Sequence, residues 1–84
     1  MRLEFKKEAW EDLEYWKRTD KKKLSKILVL IKSIQESPFS GIGKPEALKH
    51  EIAGSWSRRI DKVNRLVYTV EKDVIKIIQC RYHY

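Results

Sequence analysis

Gly54-Ser55-Trp56-Ser57-Arg58-Arg59-Ile60-Asp61-Lys62-Val63-Asn64-Arg65-Leu66-Val67-Tyr68-Thr69-Val70 decides the fold. Apolar and polar residues alternate with a period of two on both sides of Asp61-Lys62-Val63-Asn64, a connection rich in turn formers, so Ser55 to Ile60 and Arg65 to Val70 read as the arms of a hairpin. Ser57, Arg59, Arg65 and Thr69 share one parity, while Trp56, Ile60, Leu66, Tyr68 and Val70 belong mainly to the other. One face is then a core face and the other carries a row of arginines.

Downstream, Lys72-Asp73 turns the chain into a third strand, Val74 to Tyr82. Upstream, Pro38 to Gly54 holds all three glycines and both prolines and reads as an ordered loop with few regular elements. Before it the period is helical. Leu24, Ile27, Leu28, Ile31 and Ile34 form a stripe that Asp20 can cap and Pro38 stops; Ala9, Leu13 and Trp16, with Trp10 beside them, form another ending near Thr19. Leu3 and Phe5 alternate with Arg2 and Glu4 as a short first strand. The order β-α-α-β-β-β predicts a single α+β domain over residues 1–84: a small antiparallel sheet with two N-terminal helices on one face.

Composition narrows the function classes. Eighty-four residues with 42% hydrophobic content suffice for one thin core, and a lone cysteine, Cys80, excludes an internal disulfide and reads as a small buried strand residue. No apolar run reaches the length of a membrane span and Met1 to Glu8 lacks the apolar segment of a signal peptide, so a cytoplasmic setting is expected. Nineteen basic against twelve acidic residues give +7, which favours a polyanionic partner. Residues 17–32 alone hold seven cations and one acid, and Lys21, Lys22, Lys23 and Lys26 are candidates for a basic docking face or for an ordinary solvated one.

Chemistry-bearing residues cluster late in the chain. Arg81-Tyr82-His83-Tyr84 places an imidazole, with an ordinary pKa of about 6.5, one residue from the end. Together with Glu46 as base, His83 as acid, Arg59 and Arg65 as forked phosphate ligands, Lys44 and Lys49 as further cations and Tyr84 as a stacking ring, these residues supply the parts that RNA cleavage by internal 2′-hydroxyl attack requires. Blander readings stand beside these: Glu46 as a loop carboxylate paired with a lysine, Arg58-Arg59 as solvated strand residues, the three tryptophans as core. Cys80-x-x-His83 has no second pair at zinc spacing, so no metal or other cofactor is expected. Gly41-Ile42-Gly43-Lys44 fails as a phosphate loop, since Pro38 and Pro45 stand where that pattern needs Gly and Ser or Thr.

Pro38-Phe39-Ser40-Gly41-Ile42-Gly43-Lys44-Pro45-Glu46, Leu48-Lys49-His50, Gly54 to Ile60, Asn64-Arg65-Leu66-Val67-Tyr68 and Cys80-Arg81-Tyr82-His83-Tyr84 together resemble the YoeB (Txe) toxins of the RelE superfamily. The resemblance implies a microbial-RNase-like toxin of a type II toxin–antitoxin system that cuts mRNA in the ribosomal A site. It also implies neutralisation by a YefM-type antitoxin and allows a homodimer. It puts the general base on Glu46, the phosphate stabiliser on Arg65 and the general acid on His83, with Lys49, Arg59 and Tyr84 supporting; the visible departure is Ala47, where relatives often carry Pro. The alternative is a basic RNA- or ribosome-binding module that does not cut.

Overall fold

A computed structural model describes residues 1–49 and 54–82. Its elements are β1 (Arg2–Phe5), α1 (Lys7–Thr19), α2 (Lys21–Glu36), β2 (Glu46–Ala47), β3 (Ser55–Arg59), β4 (Arg65–Glu71) and β5 (Val74–Gln79). The five strands form one sheet in the order β1-β5-β4-β3-β2.

The hairpin and the meander lie where the alternation puts them. Arg59 faces Arg65 and Trp56 faces Tyr68 across β3 and β4, and β4 continues antiparallel into β5 with a register shift at Val67/Tyr68. The sheet is nonetheless mixed, because β1 runs parallel to β5, with Leu3 opposite Ile75 and Phe5 opposite Ile77. A parallel neighbour needs a long crossover, and the two helices are part of it. The Pro38–Gly54 segment also contains a strand: Glu46 and Ala47 pair with Ser57 and Trp56 at the sheet edge.

Helix α2 begins and ends for local reasons. The Asp20 carboxylate accepts from the Lys22 and Lys23 amides at 3.1 and 3.4 Å, capping α2. Pro38 lies two residues beyond the end of α2, where a helix cannot continue. Ala9, Leu13 and Trp16 of α1 and Ile27, Leu30, Ile31 and Ile34 of α2 are buried against Leu66, Tyr68, Ile75, Ile77 and Cys80. Two residues depart from the expected stripes. Leu28 is 55% exposed and Leu30 takes its place in the core, since 27, 30, 31 and 34 keep the i, i+3, i+4, i+7 face that the sheet covers. Trp10 is also 55% exposed, its ring lying 5.0 Å from Phe5 over the edge of the core.

Candidate active site

The loop between α2 and β2 is built around Arg58, which shares the helix-facing parity of Trp56 and is fully buried. Its Nε donates to the Tyr68 hydroxyl at 3.2 Å and Nη1 to Ser33 Oγ at 2.8 Å and the Ile42 carbonyl at 3.1 Å. Nη2 donates to the carbonyls of Ser37 and Ser40 at 2.7 and 2.8 Å. Ser37 closes α2, whose last turn has no basic residue, so this guanidinium supplies the positive charge that a helix C-terminus favours. The Tyr68 hydroxyl in turn donates to the Pro38 carbonyl at 2.6 Å. The loop passes so close that a Cβ on Gly43, whose φ is +83°, would lie 2.7 Å from Leu30 and 3.1 Å from the Arg58 side chain. The Gly43 carbonyl accepts from the Arg59 amide at 2.7 Å, which delivers Lys44, Pro45 and Glu46 to the edge of β3.

On the side of the sheet away from the helices, the register aligns Glu46 with Ser57 and Arg59 with Arg65. One Glu46 oxygen lies 3.8 Å from Arg65 Nη1, the carboxylate largely exposed and the guanidinium mostly covered. An acid and a cation separated by most of the loop and hairpin thus meet on one open surface. The expected row of arginines is confined to this end of the hairpin: farther along the same face Ser55, Ser57 and Val67 are buried.

A cleft of about 400 Å³ opens beside these residues, lined by Lys26, Gly43, Lys44, Arg59, Ile60, Asp61 and Lys62. Four cations face one carboxylate there, and that carboxylate is already engaged. Asp61 accepts from Lys23 Nζ at 2.8 Å, from the Val63 amide at 2.7 Å and from the Asn64 amide at 2.6 Å. Burial alone would raise its pKa, but these bonds, with those from the Asn64 side chain, hold it well below the ordinary carboxylate range. Lys23 is therefore tied to the hairpin, whereas Lys21, Lys22 and Lys26 remain exposed on α2. Lys49 is exposed just beyond β2.

The C-terminal strand is held from two sides. Trp16 Nε1 donates to the Cys80 carbonyl at 2.8 Å and the Asp12 carboxylate accepts from the Cys80 amide at 2.9 Å, so α1 satisfies both backbone groups of one residue. Burial, opposed by the Cys80 amide and Arg81, raises the Asp12 carboxyl; burial, with the Asp12 charge adding to it, pushes the Cys80 thiol up to about 12. The Arg81 guanidinium lies 3.5 Å from the centre of the Tyr15 ring and 4.6 Å from that of Tyr82. Opposite, the Tyr82 amide donates to Asn64 Oδ1 at 2.7 Å and its carbonyl accepts from the Arg65 amide at 2.9 Å. His83 and Tyr84 lie outside the described residues, as does His50.

Of the sequence-derived site, Glu46, Arg59, Arg65 and Lys44 come together and Lys49 sits on the adjoining loop. Lys62, Asp61 and Asn64 are not among those candidates, and Arg58, expected with Arg59 as a solvated strand residue, is instead fully buried. Strand parity with Trp56 and Ile60 is the signal that would have found Arg58.

The YoeB/ParE toxin of Agrobacterium tumefaciens superposes with a TM-score of 0.96 at 45% identity, over 100% of both chains. The YoeB–YefM heterotetramer of Staphylococcus aureus contains a chain matching with a TM-score of 0.90 at 47% identity, over 100% of this chain and 98% of that one. Toxin YoeB of Escherichia coli K12 is 51% identical over 84 residues, the full length of both. Residues 5–84 match the family model of the YoeB-like toxin of bacterial type II toxin–antitoxin systems, and the chain belongs to that family.

Proposed function

We propose that this toxin is a ribosome-dependent endoribonuclease that cuts mRNA in the A site by internal transesterification. The observation that carries the reading is the Glu46 carboxylate 3.8 Å from Arg65 on an open, cation-rich surface, with Tyr82 bonded to the Arg65 backbone. Glu46 takes the 2′-hydroxyl proton; the 2′-oxygen bonds to phosphorus; the P–O5′ bond breaks and His83 protonates the departing 5′-oxygen. Arg65 stabilises the charge on the phosphorane, Arg59, Lys44 and Lys49 hold flanking phosphates, and Tyr84 orients a base. No step requires a metal ion. Lys21, Lys22 and Lys26 dock the protein on ribosomal RNA, with Lys23 fixing the hairpin instead.

The same surface suits an acidic, YefM-type antitoxin segment that orders on binding and covers Arg59 and Arg65. The S. aureus heterotetramer supports a partner of this kind.

Primer extension on translating ribosomes, with analysis of the ends, tests the reading. Cuts within A-site codons leaving a 5′-hydroxyl and a 2′,3′-cyclic or 3′-phosphate are expected; 5′-phosphate ends would rule out 2′-attack. Glu46→Gln should slow single-turnover cleavage by about 10²–10⁴-fold with little change in ribosome binding. Ribosome binding without cleavage by the wild type would favour the non-catalytic module.

A further inference from the structure

Tyr82 has a backbone φ of +64°, a conformation that costs a residue with a Cβ roughly 1 kcal/mol or more and persists only where the surroundings over-determine it. Both of its peptide groups are held, the amide by Asn64 Oδ1 at 2.7 Å and the carbonyl by the Arg65 amide at 2.9 Å. The second bond comes from the backbone of β4, so any residue at 65 other than proline supplies it. The first depends on one side chain. Asn64 Nδ2 donates to both oxygens of Asp61, at 3.2 and 3.0 Å, which fixes the amide so that its oxygen, not its nitrogen, meets the Tyr82 N–H. A flipped amide would set donor against donor at Tyr82 and carbonyl against carboxylate at Asp61. Asp61 is itself immobilised by Lys23 of α2 and by two turn amides.

We propose that Asn64 is a positioning residue: oriented by Asp61, it holds Tyr82, the residue that precedes the proposed general acid in sequence, in the left-handed conformation beside Arg65. Released from Asn64, Tyr82 relaxes to negative φ, which redirects the chain at the residue immediately before the proposed general acid. The inference rests on the proposed cleavage reaction. Asn64 touches no reacting atom in it, and its role is carried entirely through the Tyr82 backbone.

The test uses the full chain and compares Asn64→Ala with wild type and with Val63→Ala, an exposed neighbour that is not among the residues lining the cleft. Single-turnover cleavage at saturating protein on programmed ribosomes should fall by about 10- to 100-fold in Asn64→Ala, in line with the cost of displacing a catalytic group by ~1 Å. Ribosome affinity should stay within about twofold, and Val63→Ala should cut at the wild-type rate. Amide exchange, which does not depend on activity, should accelerate at Tyr82 in Asn64→Ala while the Leu66 and Ile77 amides keep their protection, showing that the sheet is intact. An unchanged saturating rate, an unchanged Tyr82 exchange rate, or a defect confined to ribosome affinity each overturns the proposal. A wild-type protein that does not cut marks instead the failure of the nuclease reading, and Tyr82 exchange then still decides whether Asn64 anchors the tail.

Discussion

Arg58 and Arg59 are adjacent, chemically identical and opposite in role. Arg59 points to the open face, where alternation assigns it; Arg58 is buried with five donated hydrogen bonds and no carboxylate. Burying a cation is costly, and it is tolerated here because the Tyr68 and Ser33 hydroxyls and the carbonyls of Ser37, Ser40 and Ile42 together take up every branch of the guanidinium. Lysine cannot reproduce that fork. Arg58→Lys should therefore lose about 2–4 kcal/mol in urea unfolding, and the loop carrying Glu46 should loosen with it. A loss under about 0.5 kcal/mol would mean that the carbonyls of Ser37, Ser40 and Ile42 find other partners. A doubled arginine in a strand looks like a phosphate-binding pair, and composition gives no sign that one of the two is structural; strand parity does. Cys80 is buried as the sequence implies, although it lies one residue beyond β5 and not within a strand. With its thiol pushed up to about 12, it should resist iodoacetamide at pH 8 in the folded protein and react on unfolding. Rapid native alkylation would show that the end of β5 opens readily.

Among the elements, the hairpin and the helices were legible because each has a strong local signal: period-two alternation around a polar turn, a capping aspartate, a terminating proline. The parallel pairing of β1 was not, because four alternating residues specify a face and not a neighbour. The partner is chosen by the helical crossover and by Leu3 and Phe5 meeting Ile75 and Ile77. Strand β2 is two residues long and has no periodicity to read; it exists because the Gly43–Arg59 bond brings the loop to the edge of β3. The Asp61 turn is an element whose stability depends on pH. Its carboxyl has a folded pKa below the unfolded value, so its contribution is fully present above about pH 4–5 and is lost as pH falls through the folded value. Asp61→Asn should accordingly lose less stability than wild type between pH 7 and pH 3 in urea titrations; parallel curves would show that the carboxylate is not perturbed.

For the molecule as a whole, charge and connectivity act together. The proposed site draws on the α2–β2 loop, the β3–β4 hairpin and the chain end, elements that only the assembled sheet brings within reach of one another, which is why the sequence alone could nominate Glu46 and Arg65 but not set them 3.8 Å apart. The +7 charge is also unevenly available. Lys23 is neutralised by Asp61, whereas Lys21, Lys22 and Lys26 stay exposed and Lys26 reaches the same cleft as Lys44, Arg59 and Lys62. A polyanion approaching α2 can therefore run without a break into the proposed catalytic surface. Each phosphate neutralised releases counterions, so affinity falls with salt by a slope of roughly 0.7–0.9 per contact. Replacing Lys21, Lys22 and Lys26 together by Gln should weaken ribosome association at low salt and flatten the slope of log affinity against log salt by about 2–3. The saturating cleavage rate should change far less than the association, since exposed charges chiefly steer and hold. Replacing Lys23 alone should leave the salt slope nearly unchanged and lower the melting temperature instead, because its charge is committed to Asp61. Equal effects of Lys23 and Lys22 substitutions on the salt slope would show that the ion pair opens on the ribosome and that all four lysines face the RNA.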